Sequence, residues 1–330
     1  MRGNWLRAAT QEVMADLAGN LKSSLKIGIT AAFVGWMTLA NAETWRFALI
    51  GDTPYSNHER AELPKMLEAI ADSQVEFVVH IGDIKSGGDR CDDSLFEDRH
   101  RLFNASHVPF IYVPGDNEWT DCERQTNGAY DQLERLGKLR SLFWQDGFSL
   151  GRKKLALERK PGNYPEHSRF RLGPVLFVTL NIPGDTNNHG LNSNPRTEFL
   201  TRNPVVLDWM KESFALARRD KLAGIVLLFH ADPNFKHFSQ GFAHQGYREF
   251  LELLRDETSQ FAGQVVAVHG DSHISRIDRP LRDRQGRPIN NFVRVETFGY
   301  PLMGWTLGVI DTEASTLVRF EANPWPPKQP

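Results

Sequence analysis

The sequence predicts an α/β chain built on a parallel sheet, and three observations carry that expectation. Short apolar runs rich in Val, Ile and Phe alternate with longer amphipathic stretches. The first three runs end in Gly51-Asp52, Gly82-Asp83 and Gly115-Asp116, with the aspartates 31 and 33 residues apart, about one strand-helix-strand unit. The last three runs are joined by turns with no helical pattern between them.

Taken in order, Trp45–Ile50, Val75–Ile81 and Val108–Val113 read as strands, and Arg60–Ala71 and Ser94–Asn104 as the helices between them. Such alternation implies parallel strands with crossover helices. Trp119–Glu166 is less regular and holds one helical pattern around Tyr130–Trp144. Strand Pro174–Asn181 is followed by a polar loop, Ile182–Asn203, and by a helix that Asn203-Pro204 would open as cap and first-turn residue. Strands Gly224–His230 and Gln264–His269 flank a helix near Tyr247–Glu257. The runs Asn291–Phe298, Gly304–Ile310 and Ser315–Phe320 read as an antiparallel meander, and residues 324–330 as an extended C-terminal tail.

With 330 residues, 40% hydrophobic, two cysteines and 39 Lys+Arg against 41 Asp+Glu, the chain is not disordered, disulfide-dense or strongly basic. No basic face with interleaved aromatics suggests a nucleic-acid platform. Lys22 and Lys26 precede an apolar stretch that ends in Ala40-Asn41-Ala42, the pattern of a signal peptide cut after Ala42. An uncleaved anchor or a buried helix is the other reading of residues 1–42. Cleavage leaves 288 residues (43–323 as one domain, then the tail) and removes four basic and two acidic side chains, moving the net charge from −2 to −4. The expected protein is exported, periplasmic or secreted, without a membrane span. An oxidising compartment would let Cys91 and Cys122 join, with two free buried thiols as the alternative.

Successive parallel strands of equal units bring their carboxyl ends side by side, so Asp52, Asp83 and Asp116 should converge on the edge where open α/β sheets bind ligands. Glycine before each aspartate allows a sharp turn and a close backbone approach. Two later strands end in His230 and in His269-Gly270-Asp271-Ser272-His273. Converging carboxylates repel one another and need a positive partner. With neutral imidazoles from His230 and His273 they form a mixed oxygen and nitrogen set suited to a pair of metal ions. His80 and His269 read more simply as buried, hydrogen-bonded histidines. The arginines between Arg276 and Arg287 read as a solvated turn.

At these residues the chain resembles the calcineurin-like metallophosphoesterase superfamily, which includes the purple acid phosphatases. The resemblance runs through Gly51-Asp52, Gly82-Asp83, Gly115-Asp116-Asn117-Glu118, His230 and Gly270-Asp271-Ser272-His273. It implies a four-layer αββα sandwich of two mixed sheets flanked by helices, and a binuclear-metal-dependent hydrolase of small phosphorylated substrates, monoesters or diesters, with a metal-bridging hydroxide as nucleophile. Asp52, Asp83 and His273 would hold one ion, and Asp83, Asp116, His230 and Asp271 the other. The implied catalytic set is Asp83, Asn117 and His230, with Arg90 and His189 as further helpers.

Three motifs depart from the family pattern. Asp52-Thr53-Pro54 stands where D-x-H is usual, so a histidine ligand is missing, although Tyr55, one residue further on, could supply a phenolate. Asp116-Asn117 stands where N-H is usual, and Asn117 cannot act as a general acid near neutral pH. Asp271 stands for a histidine. The oxygen-rich set favours Mn or Fe over Zn. Loss of the acid favours activated esters over alkyl esters. The competing reading is a weakened enzyme that serves as a metal- or partner-binding module.

Overall fold

The computed structural model describes residues 43–190 and 195–327. The expected leader, residues 1–42, and the tail end, 328–330, lie outside them. In chain order the elements are β1 (Thr44–Ile50), α1 (Asn57–Asp72), β2 (Val78–His80), α2 (Asp93–Asn104), β3 (Phe110–Tyr112), two 3-10 turns (Thr120–Glu123 and Gln125–Asn127) and α3 (Gln132–Phe143). They continue with β4 (Glu158–Arg159), β5 (Ser168–Leu172), β6 (Val175–Thr179), α4, a distorted turn (Gly184–Asn187), α5 (Thr197–Arg219), β7 (Gly224–Leu228), α6 (Phe235–Ser239) and α7 (Gln245–Gln260). The last are β8 (Gln264–His269), β9 (Arg276–Asp278), β10 (Phe292–Glu296), β11 (Gly304–Asp311) and β12 (Val318–Pro324).

The strands form two mixed sheets, in the orders β12-β11-β1-β2-β3 and β4-β5-β6-β7-β8-β10-β9. Strand alternation builds the layers. Phe47, Leu49, Val79 and Ile111 of the first sheet meet Phe177, Val226, Val266 and Val295 of the second in one core between the sheets. The opposite faces carry Ala48, Ile50 and Val78 against Leu63, Phe103 and Leu139 of α1–α3, and Leu176, Ile225 and Val265 against Trp209, Phe214 and Phe250 of α5 and α7. The expected four-layer αββα sandwich is what forms. Among the described residues no helix is long and apolar enough to cross a membrane.

β1, β2 and β3 are parallel neighbours, as the Gly-Asp spacing implied. The meander expectation is corrected. β10 joins the other sheet, parallel to β8 with Val295 opposite Val268, and only β11 and β12 form an antiparallel pair continued onto β1. All five residues of β10 are buried. Burial on both faces marks an interior parallel strand, not one with a wet side.

The second correction is α5, which begins at Thr197 and carries Pro204 inside it. Fully buried Arg202 bonds Glu198 (2.6 Å) and the Asn181 carbonyl (2.8 Å), anchoring the turn that a proline-led start would leave out. Tertiary contacts there outweigh the cost of an internal proline. The irregular stretch also hides β4, and β5 follows just beyond it. Beyond β12, Trp325 donates its backbone N–H to Met303 and its indole N–H to Glu62, so the start of the tail is tied down. Arg276, Arg284 and Arg287 of the basic run pair with Glu296, Asp256 and Asp283.

Candidate metal centre

The carboxyl ends of β1, β2, β3, β7 and β8 meet at one edge. Asp52, Asp83, Asp116 and His230 are buried there, while Asp271 and His273 are half-buried. Ligand atoms of Asp52, Asp83 and His230 lie within 4.8 Å of one another, and so do those of Asp116, His230 and Asp271. His273 Nε2 joins them 3.5 Å from Asp52 Oδ1. The six residues that the sequence proposed as ligands are thus one cluster, drawn from five strand ends across both sheets.

Close packing makes this possible. Gly82 has φ +94°, and a Cβ there would sit 2.7 Å from His230 Nδ1; one on Gly115 would sit 2.2 Å from Asp83 Oδ1. Asp52, Asp83, Asp271 and His273 all adopt positive φ. A conformation that L-residues avoid is held by cross-links between the turns. Asp52 N–H donates to the Gly82 carbonyl (3.0 Å), Asp271 N–H to Asp52 Oδ1 (3.1 Å), and Gly270 N–H to the His230 carbonyl (2.9 Å). Glu118, buried, accepts from Asp83 N–H (3.1 Å), Gly115 N–H (2.6 Å) and the Tyr112 hydroxyl (2.6 Å), which ties the second and third motifs together.

The carboxylates are oriented in turn. Asp116 Oδ1 accepts from Gly184 N–H (3.1 Å) and Asp271 Oδ2 from Asp232 N–H (2.8 Å). Asn117 donates its backbone N–H to Asp83 Oδ1 (3.1 Å), while its amide nitrogen lies 2.6 Å from Asp83 Oδ2, 3.1 Å from the Tyr55 hydroxyl and 3.2 Å from the Lys85 carbonyl. The amide is therefore committed within the protein. Tyr55 Oη donates to Asp83 Oδ2 at 2.6 Å. The sequence offers Tyr55 as a phenolate donor after the first motif, and in the structure its hydroxyl hydrogen-bonds Asp83; Gly184, which bonds Asp116, carries no sequence signal.

Of the two suggested helpers, Arg90 pairs with Asp92 and lines a cleft of about 860 Å³ beside Tyr55 and Arg60. His189 is buried against Phe199 and His244. The polar loop after β6 approaches the cluster through Gly184, and Asp185, Thr186, Asn187 and Asn188 are all left-handed. Arg202 holds that turn through Asn187 Oδ1 (2.8 Å) and the Asn187 carbonyl (2.9 Å). Cys91 and Cys122 form a disulfide, with both sulfurs against the Asn117 carbonyl (3.5 and 3.6 Å).

The cluster carries more negative charge than its own groups neutralise. Burial, reinforced by Asp116, Glu118 and Asp52, raises the carboxyl of Asp83 well above the usual range. Burial together with Asp116 and Asp52 pushes Asp271 up to about 7. Burial works against a charge on His230, yet Asp83, Asp116 and Asp52 outweigh it and raise its pKa. On Asp116 the same imidazole overcomes burial and lowers the pKa.

The donor set fits metal ions. His230 Nδ1 lies 2.8 Å from the Ile81 carbonyl, which can only accept, so Nδ1 carries the hydrogen. Nε2 faces Asp116 Oδ1 at 2.9 Å and Asp83 Oδ1 at 3.3 Å, yet it makes no well-directed hydrogen bond. A buried imidazole whose far nitrogen is fixed by a carbonyl, with its near nitrogen among carboxylates, has the arrangement of a metal-ligating histidine. His273 repeats it, with Nδ1 2.8 Å from the Tyr300 carbonyl.

An αββα sandwich with oxygen and nitrogen donors gathered at its strand ends defines a class of fold with a possible metal site at that edge. Within that class the chain belongs to the calcineurin-like phosphoesterase family, whose sequence model matches residues 46–280. No curated protein matches the sequence. Among solved structures the chain is similar to a dimetal phosphatase from Danio rerio (14% identity, TM-score 0.52, covering 84% of this chain and 98% of that one). It is also similar to a purple acid phosphatase from yellow lupin (Lupinus luteus) seeds (13% identity, TM-score 0.50), covering 86% of this chain and 52% of that one, so it spans about half the lupin enzyme's length. At these identities the likeness is one of fold. Family and fold together imply a dimetal site.

Proposed function

We propose that the protein is a binuclear-metal-dependent hydrolase of small phosphate esters. Asp52, Asp83 and His273 hold one ion, and Asp83, Asp116, His230 and Asp271 hold the other. The observation that carries this reading is His230 Nε2, buried among Asp83, Asp116 and Asp271 at 3.3, 2.9 and 4.0 Å with no hydrogen-bond partner. When bound, such ions supply Lewis acidity toward a phosphoryl oxygen and lower the pKa of water.

The chain's own residues fix the geometry. Asp83, between the two donor groups, is oriented by Asn117 from one side and by the Tyr55 hydroxyl from the other. Asn117 thus acts through Asp83, and neither it nor any neighbour with an amide can deliver a proton to a leaving group at neutral pH. Substrates whose leaving group needs no proton, aryl esters and anhydrides, are expected to react faster than alkyl esters. The oxygen-rich donor set favours Mn or Fe. Export with removal of residues 1–42 belongs to the same proposal and is supported by the Cys91–Cys122 disulfide.

The test is metal analysis of the protein beginning at Glu43, with turnover of p-nitrophenyl phosphate, bis-p-nitrophenyl phosphate and an alkyl phosphate. Two ions per chain and aryl-selective hydrolysis, both lost in Asp83→Asn, are expected. Full metal content without turnover would instead favour the binding-module reading, and an active metal-replete Asp83→Asn would sink the assignment.

A further inference from the structure

Asp271 and His273 both sit in the left-handed region, at φ 74° and 59°, with Ser272 between them. Non-glycine residues keep that conformation only where their surroundings impose it. Here β10 supplies the constraint. Glu296, the last residue of that strand, is fully buried and stands opposite Arg276 of β9 in the strand register. Its Oε1 accepts from the Ser272 hydroxyl at 2.5 Å and from the Ile274 N–H at 3.0 Å, so one oxygen grips the chain on both sides of His273. Its Oε2 accepts from Arg276 Nε at 2.5 Å. The same guanidinium reaches on through Nη2 to Asp232 Oδ2 at 2.9 Å, and the Asp232 N–H bonds Asp271 Oδ2 at 2.8 Å.

We propose that Glu296 is the positioning residue of loop 270–273: through Ser272 and Ile274 it aims the His273 imidazole at one ion, and through Arg276 and Asp232 it aims the Asp271 carboxylate at the other. The inference rests on the metal-centred reading above. Glu296 bonds none of the six ligand side chains, so it acts only through the loop that carries two of them. A buried ion pair adds little net stability by itself, and every bond of this carboxylate goes to residues 272–276. The same two strands supply a contrast. Arg294 of β10 bonds Asp278 of β9 through Nε at 2.7 Å, two register positions away, and that pair stays between the strands. Arg276 differs in its reach, because its planar fork serves two carboxylates at once, which a lysine could not do.

The test titrates the protein from Glu43 onward, stripped of metal, with Mn²⁺ by calorimetry, alongside denaturant unfolding of the metal-free form. Glu296→Gln keeps the shape but turns an amide NH₂ toward the Arg276 guanidinium, and it should weaken ion binding by roughly 10–100-fold. Asp278→Asn, which breaks the contrasting pair, should leave both affinities as in wild type, whatever it does to unfolding. Arg276→Lys loses the fork and should weaken one ion. For the ion that His273→Asn weakens, adding Glu296→Gln should cost less than it does alone, because the two act on one imidazole. Full additivity there, or equal affinity losses in Glu296→Gln and Asp278→Asn, overturns the proposal and leaves Glu296 as a stabilising ion pair. Should Glu296→Gln not fold, Ser272→Ala at an exposed position removes one bond to Oε1 and should show a smaller loss of the same sign. Unchanged affinities in both Ser272→Ala and Arg276→Lys also overturn it. If wild type binds two ions and these variants bind them equally well, only this inference fails; if wild type binds none, the metal-centred reading fails with it.

Discussion

The two sides of the candidate metal centre are built on different terms. On one side His230 is fully buried, with its imidazole tied to the Ile81 carbonyl and its main chain bonded to Gly270, so the sheets themselves hold it. On the other side the His273 side chain is 30% exposed and is held by loop partners, the Tyr300 carbonyl and the Tyr55 ring. Tyr300 and Leu302 beyond it are exposed. The difference teaches where precision comes from. Strand ends position a ligand by backbone geometry alone, whereas loop-borne ligands depend on pins between loops, of which the Cys91–Cys122 disulfide behind Asn117 is one.

Breaking the closed side should have the largest effect. His230→Asn leaves Asp83 and Asp116 facing each other without an imidazole, and hydrolysis is expected to fall by at least roughly 10²–10³-fold with loss of bound metal. Activity and metal content measured on the folded variant check it, and wild-type metal content in that variant would contradict the closed-side assignment. Removing the pin comes next. Cys91→Ser with Cys122→Ser opens a loop of 31 residues and should cost about 3–4 kcal/mol in denaturant unfolding. His273→Asn should cost less than His230→Asn, about 10–100-fold in affinity for one ion, with the other retained. Equal losses from the two histidine variants would erase the distinction between the sides.

The last effect is one of pH. In the metal-free protein the carboxyls of Asp83 and Asp271 titrate above their usual range, Asp271 near 7, and His230 stays protonated above its own. An incoming ion must displace those protons. Affinity should therefore rise with pH, and weaken on acidification below about 7, by up to about tenfold per unit for each proton displaced. Titration calorimetry from pH 5 to 8 checks the sign; affinity that is flat with pH would mean that these groups are not displaced by the ion.

Much of this is legible in the sequence. Gly-Asp pairs at unit spacing marked parallel strand ends, and His230 and His273 followed two further apolar runs. The parts that failed to show have physical reasons. β10 looked like a meander strand because an apolar run does not name its neighbour, and only burial on both faces separates the two cases. Pro204 looked like a helix start because the buried bonds of Arg202 to Asn181 and Asn187 cannot be seen in a local pattern. Tyr55 was one position too far along to match a motif, yet the turn pinned by Glu59 brings its oxygen to Asp83.

By itself, then, the sequence determined the alternation of strands and helices and the residue types that gather at the metal edge, because periodicity and turn chemistry act over a few residues. Tertiary structure alone decided which sheet each late strand joins, which nitrogen of His230 is free, and that Asn117 serves Asp83 and Tyr55. Those outcomes depend on contacts between residues 34 to 149 positions apart, such as Asn117 to Asp83 and His230 to Ile81. Only the packed sandwich brings such groups within hydrogen-bond range.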